Sequence, residues 1–244
     1  MSVIERSSRG ATAIITINRP EKKNALRLAD FDDLAKELLD ADQDAEVRAI
    51  VVTGTGDSFS AGADLKSLAN YQSNPLAHLA RVHHCARTLA QVSKPTIAAI
   101  NGVAVGAGLN IALACDLAVA GRSAMASEIF LDRGLTLDYG GSALLVQRIG
   151  LHRAKELAFF ATRLIGDELV TWGLVNRVVD DDQVLSHALD WAHQLEQRSP
   201  TALALTKSLL NRAATSLTQA IDLEVVAQVA ALSDPNVGTT LTNF

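Results

Sequence analysis

Two segments carry residue types whose pattern could do chemistry. Phe59-Ser60-Ala61-Gly62-Ala63-Asp64-Leu65 and Asn101-Gly102-Val103-Ala104-Val105-Gly106-Ala107-Gly108-Leu109-Asn110 each leave an apolar strand, pass through small residues and run into a helix-like stretch. Corners of this kind leave backbone N–H groups without a helical acceptor, and two of them can aim two donors at one point. A pair of open donors is what a thioester carbonyl needs when charge builds on its oxygen. Tight strand–helix packing is the plainer explanation of either segment alone; their pairing favours an acyl-thioester site.

Several elements must hold these corners in place. Residues 11–18 read as a strand from their β-branched content, stopped by Arg19-Pro20. Residues 28–45 put Phe31, Leu34, Ala35, Leu38 and Leu39 on one helical face. A buried strand follows at 47–53, then a helix at about 76–91, a strand at 96–101, a helix at 107–114 and a strand at 116–120. This alternation predicts an α/β fold with helices covering sheet faces. The later chain is mostly helical, at 140–149, 152–161, 167–172, 182–197, 201–214 and 217–232, with one short strand at 175–179. The last of these helices is rich in Ala and Val and reads as a cap on a neighbour.

Composition excludes several classes. The 244 residues are 48% hydrophobic and 20% charged with a net charge of −5, an ordinary globular balance without a basic stripe, so no nucleic-acid partner is expected. Cys85 and Cys115 form no disulfide framework and no metal-ligand spacing. Residues 1–10 are polar with no apolar signal-like core, and the expectation is a cytoplasmic protein. The apolar run at 95–120 is interrupted by Asn101, Asn110 and Asp116 and by glycines, so a buried strand, turn and helix explain it better than a membrane span. Gly54-Thr55-Gly56 lacks the rest of a dinucleotide fingerprint, and Gly56-Asp57-Ser58-Phe59-Ser60 lacks the last Gly of a nucleophile elbow. His83 and His84 are adjacent and read as surface or packing residues.

Asn18-Arg19-Pro20-Glu21-Lys22-Lys23-Asn24-Ala25-Leu26, Phe59 to Leu65, Asn101 to Asp116 and Trp172-Gly173-Leu174-Val175-Asn176 stand in an order that resembles the crotonase, or enoyl-CoA hydratase/isomerase, superfamily. The resemblance spans nearly the whole chain. It implies an α/β spiral of β-β-α units over residues 1–195 and a C-terminal helical trimerisation region over 196–244. It also implies a homotrimer or dimer of trimers, an acyl-CoA thioester substrate, no metal, and no cofactor other than the coenzyme A of the substrate.

The family's oxyanion hole maps to the backbone N–H groups of Ala63 and Ala107, where a donor aimed at an enolate oxygen is worth about 3–4 kcal/mol. Ala61 and Gly106 are small enough to let backbone approach the ligand. The resemblance puts Lys23, Ala25, Leu26, Leu65 and Lys66 along the coenzyme A cleft. Asp64 invites a catalytic role, but it opens a helical stretch and reads first as its cap. Leu68, Tyr71, Leu76 and Tyr139 are candidates to line the acyl pocket.

The acid–base groups depart from the hydratase pattern. The position of the first family glutamate is Asn110, which cannot take a proton. The second falls on Phe130, with Glu128 two residues out of register. What remains is Asp138, where isomerising relatives carry a carboxylate, just before Gly140-Gly141 and expected to face an apolar acyl pocket. Capping of the helix that follows is its bland alternative. A general acid or base contributes about 10²–10⁴-fold, so loss of both glutamates disfavours hydration, while shifting a double bond needs one base. Two rivals stand beside isomerisation. One makes Asp138 a nucleophile on an aryl-CoA ring, which wants a histidine close by, and no His lies between 85 and 151. The other is a non-catalytic acyl-CoA binder with a degenerate site.

Overall fold

The computed structural model describes residues 2–68, 74–212 and 216–232. Strands β1 (Ile4–Arg9), β2 (Thr12–Ile17), β3 (Ala49–Gly54), β5 (Thr96–Ile100), β7 (Leu117–Gly121) and β10 (Arg177–Val179) form one sheet in the order β1-β2-β3-β5-β7-β10. Strands β4 (Ser58–Ser60), β6 (Val103–Val105), β8 (Met125–Ser127) and β9 (Leu164–Ile165) form a second in that order. The large sheet is parallel from β2 to β10, and only β1 runs antiparallel to its neighbour. The chain spirals: β1 and β2 both enter the large sheet before α1, and each of the next three turns lays one strand in the large sheet, one in the small sheet, and then a helix. Helix α1 (Leu28–Gln43) precedes β3, α2 (Leu65–Leu68) and α3 (Pro75–Gln91) follow β4, α4 (Ala107–Ala114) follows β6, and α5 (Gly141–Phe160) follows β8. This is the α/β spiral of β-β-α units that the resemblance implied.

Period-2 alternation divides the core. Ala13, Ile15, Ile17, Ile50 and Val52 face the helices α1, α3 and α4. Ile14, Ala49, Val51, Ile97 and Val119 face the other way, where α7 (Val184–Glu196) covers them with Val184, Ala188, Leu189 and Ala192. Helix α6 (Asp167–Trp172) lies between β9 and β10. Helix α8 (Pro200–Arg212) is tied to the core by Lys207, whose Nζ lies 2.8 Å from Asp116 and donates to the Lys94 carbonyl at 2.9 Å. Helix α9 (Leu217–Leu232) packs on α8 and leaves Ile221, Val225 and Val226 exposed.

Two differences from the sequence reading have simple causes. Strand β1 has only Ile4 buried, so it carries no hydrophobic alternation, and pairing with β2 alone makes it a strand. Strands β4, β6 and β8 are three residues each, too short for a periodic signal. The two helices expected at 140–149 and 152–161 are α5 broken at Gly150, whose φ of 75° and ψ of 162° are not helical. The apolar run at 95–120 folds as β5, β6, α4 and β7. Among the described residues no helix is long and apolar enough to cross a membrane.

Candidate active site

The first corner is held almost entirely by its own backbone. After β4, Ala61 N–H donates to the Lys23 carbonyl at 2.8 Å, Gly62 N–H to Ser60 Oγ at 3.1 Å, and Asp64 N–H to the Leu26 carbonyl at 2.8 Å. Leu26 N–H donates in turn to the Gly62 carbonyl at 2.8 Å. Ala63 N–H, in the middle of this stretch, finds no acceptor among the described residues. At the second corner Gly106 N–H donates to the Ser127 carbonyl at 3.0 Å, and α4 begins at Ala107. As the first residue of its helix, Ala107 has no intrahelical acceptor for its N–H, and no other acceptor among the described residues takes it.

Glycine brings the corners together. A Cβ on Gly62 would sit 2.8 Å from the Val105 carbonyl oxygen and 3.1 Å from Ala107 N, and its φ of +83° is left-handed. Gly106 adopts φ 54° and ψ −127°, a conformation open only to glycine, and this turns the chain from β6 into α4. Two N–H groups without internal acceptors therefore lie on apposed loops, one of them at the positive end of a helix.

The loop at 19–26 supports this pair with its main chain. Asn24 is fully buried, donates from Nδ2 to the carbonyls of Thr55 (2.9 Å) and Ser58 (2.6 Å), and accepts Arg19 N–H at 2.8 Å. Lys23 and Leu26 supply the carbonyls already described, and the Ala25 carbonyl accepts Arg19 Nη1 at 3.0 Å. The same Arg19 nitrogen lies 2.7 Å from Asp64 Oδ2, while Asp64 Oδ1 caps α2 by accepting Lys66 N–H at 3.0 Å. The Arg19 guanidinium holds the Asp64 carboxyl below the usual range despite its partial burial. Asp64 is thus a cap and an anchor, and Arg19, which sequence reasoning did not single out, clamps the corner. The side chains of Leu65 and Lys66 are exposed beside it.

The carboxylate end hangs from α4. Asn110 is fully buried and donates from Nδ2 to the Asp138 carbonyl at 3.0 Å. Asp138 Oδ1 accepts the N–H of Tyr139 and the Nε2–H of His83, each at 2.5 Å. Asp138 Oδ2 accepts nothing from the described residues. His83 corrects the sequence reading, which set the histidines aside and found none near Asp138: α3 carries His83 there from 55 positions away. The signal was a stripe at i, i+3, i+4 and i+7, namely His83, Ala86, Arg87 and Ala90, which lines one wall of a cavity of about 900 Å³. Leu137, Leu144 and Leu203 face it from the Asp138 loop, α5 and α8.

Tyr139 belongs to the lining of this cavity, and its side chain packs inward. It is fully buried, its hydroxyl lies 3.0 Å from Cys85 Sγ, and its ring centroid is 6.0 Å from that of Phe31. Burial pushes the Cys85 thiol up to about 12, so the pair stays neutral. Tyr139 holds φ at 53°, and its ring anchors the turn that presents Asp138. Leu76 is 80% exposed on the first turn of α3. Tyr71 and the Leu68 side chain lie outside the described residues. Phe130 lies against Gly106, its ring 3.6 Å from where a Cβ would stand.

Sequence reasoning also set Glu128 aside. It is fully buried next to Asn110, and neither carboxyl oxygen has a hydrogen-bond partner. Burial pushes it up to about 8, against a smaller opposing pull from the Asn110 side chain. No atom of that pair meets hydrogen-bond geometry, although the two side chains are close enough to influence each other.

A family model described as enoyl-CoA hydratase/isomerase matches residues 7–244. The chain is 34% identical over 207 residues to a short-chain-enoyl-CoA hydratase of Clostridium acetobutylicum, covering 83% of this chain and 78% of that protein. It is 35% identical over 216 residues to a 1,2-epoxyphenylacetyl-CoA isomerase of Escherichia coli, covering 86% of this chain and 82% of the relative. Among solved structures, an enoyl-CoA hydratase from Polaromonas sp. JS666 superposes with a TM-score of 0.93 at 34% identity, over 98% of this chain and 95% of that one.

Proposed function

Since this chain belongs to the enoyl-CoA hydratase/isomerase family, we propose that it binds an enoyl-CoA thioester with the carbonyl oxygen between the N–H groups of Ala63 and Ala107, and that Asp138 moves the double bond. One observation carries the reading: both amides lack an acceptor among the described residues, and their loops are apposed at Gly62. Each donor aimed at an enolate oxygen lowers the barrier by about 2.7–4 kcal/mol.

Asp138 takes a proton from the carbon beside the carbonyl of a 3-enoyl-CoA, and the electron pair delocalises onto the thioester oxygen as a dienolate. The same carboxyl returns the proton at the γ carbon, the carbonyl re-forms, and the double bond ends in conjugation with it. Asp138 Oδ2 is the oxygen left for this transfer, because Oδ1 is committed to His83 and Tyr139 N–H. Asn110 positions the loop and takes no proton. The cavity beside His83 and Asp138 takes the acyl group. Hydration is disfavoured because Asn110 and Phe130 stand at the two hydratase positions. A homotrimer or dimer of trimers would cover the exposed Ile221, Val225 and Val226.

The His83 contact favours one second reading, in which Asp138 attacks an aryl-CoA ring carbon, expels its substituent, and the resulting ester is hydrolysed by a water that His83 activates. Asp138→Ala separates the readings when assayed with 3-enoyl-CoA, crotonyl-CoA and a halogenated aryl-CoA. Isomerisation of 3-enoyl-CoA that drops by about 10²-fold or more, with coenzyme A affinity unchanged, supports the base. An aryl adduct on Asp138 in intact-mass measurements supports the nucleophile. Binding with no turnover of any substrate by the wild type would leave an acyl-CoA binder.

A further inference from the structure

Three buried polar atoms beside the carboxylate loop have no hydrogen-bond partner among the described residues: both oxygens of Glu128 and Oδ1 of Asn110. The Asn110 amide is oriented by its other end, because Nδ2 must face the Asp138 carbonyl that it bonds at 3.0 Å. A buried polar atom without a partner is costly, and an ionised Glu128 would add only acceptors to a group of acceptors. One proton changes this. A neutral carboxylic acid and a primary amide are complementary: the acid O–H can donate to Oδ1, and its carbonyl oxygen can accept the second Nδ2–H.

We propose that Glu128 is a positioning residue that acts as the neutral acid, pairing with Asn110 and thereby holding the Asp138 loop in place. The packing supports it. A Cβ on Gly141 would fall 2.5–2.9 Å from the Asn110 side-chain atoms, so the fully buried amide packs directly on the start of α5. The surroundings supply no countercharge. Helix α4 and strand β6 carry no ionisable side chain. Asp132 and Arg133 are exposed, and Asp138 is turned to His83. Arg148 of α5 donates to the carbonyls of Leu113 and Cys115, and His152, Arg153, Lys155 and Glu156 farther along α5 are exposed. The upward pull on Glu128 agrees with this apolar setting.

The role rests on Asp138 being the base, so the test begins where turnover is not needed. In the full chain with carbon-13 and nitrogen-15 labels, one glutamate carboxyl resonance should titrate near pH 8 and vanish in Glu128→Gln. The Asn110 side-chain NH₂ signals should move with the same midpoint. A Glu128 that titrates in the ordinary carboxylate range overturns the proposal, as do Asn110 signals that stay still through its titration. Kinetics with 3-enoyl-CoA supply the second arm. Glu128→Ala should lower kcat by about 10- to 100-fold with little change in KM. Glu128→Gln, which keeps the shape and a donor, should restore most of kcat and lose the wild-type decline above pH 8. A Glu128→Gln variant as impaired as Glu128→Ala would mean that the ionised or proton-transferring form is required, and the positioning role fails.

Discussion

Glu128→Gln should change how stability depends on pH more than any substitution on the surface. Burial moves the Glu128 carboxyl from 4.5 up to about 8. As pH rises from 4.5, the unfolded chain releases this proton while the folded chain keeps it. The folded state therefore binds more protons across the interval, and stability falls as pH rises through it. The contribution is complete below 4.5, declines by about 1.4 kcal/mol per pH unit, and levels off once the folded carboxyl ionises. Over the whole interval the wild type loses on the order of 5 kcal/mol from this one group. Glutamine matches the neutral acid in shape and carries no titrating proton, so the variant lacks that slope. Urea denaturation followed by tryptophan fluorescence, at fixed ionic strength from pH 5 to 9, measures the difference. The two proteins should be close in stability near pH 5, and the variant should be more stable by several kcal/mol near pH 9. Curves that run parallel across this range would refute the reasoning, since they would mean that Glu128 ionises in the folded chain as it does in the unfolded one.

Other expectations concern single contacts. Gly62→Ala puts a Cβ 2.8 Å from the Val105 carbonyl at a left-handed φ, so we expect a stability loss of about 1–2 kcal/mol or more. The apposed amides should part with it, weakening thioester affinity in calorimetry while binding of free coenzyme A changes little. Tyr139→Phe removes the hydroxyl that meets Cys85 at 3.0 Å and should cost about 1 kcal/mol in denaturation experiments, with the ring still anchoring the turn. His83→Ala leaves Asp138 Oδ1 with only the Tyr139 N–H and should lower kcat for 3-enoyl-CoA about tenfold, the scale of one oriented charge-assisted hydrogen bond, with KM little altered. A loss as deep as that of Asp138→Ala would instead make His83 a proton carrier.

What could be read from the sequence was whatever local pattern determines. Helices α4 and α6 begin and end where their corner residues predict, at Ala107–Ala114 and Asp167–Trp172, because glycine at 106 and at 166 and 173 punctuates them. The two small-residue corners were visible for the same reason. Strand β1 was not, since from Glu5 onward both of its faces are exposed and polar, and its partner alone defines it. The meeting of His83 with Asp138 depends on how α3 crosses the loop before α5, and no spacing rule reports that. The burial of Glu128 beside Asn110 was not legible, because spacing alone cannot tell where a side chain points after a three-residue strand. That the Tyr139 ring packs on Phe31 and Cys85 depends on how α1 and α3 meet this loop, which no local pattern reports.

The grip of residues 19–26 on the first corner has a consequence for what evolution or an engineer can alter. Ala61, Gly62 and Asp64 have all surrendered their amide hydrogens to fixed acceptors, so the peptide plane between Gly62 and Ala63 has no slack in which to swing. The direction of the one remaining donor is decided when the chain folds, not when a ligand arrives. Lys23 and Leu26 set that direction through main-chain bonds: both carbonyls accept from the corner, and Leu26 N–H donates to the Gly62 carbonyl. The exposed Lys23 side chain can vary with little effect on this geometry, whereas the fully buried Leu26 side chain cannot, and a one-residue change in the length of the 19–26 turn should misdirect the Ala63 donor.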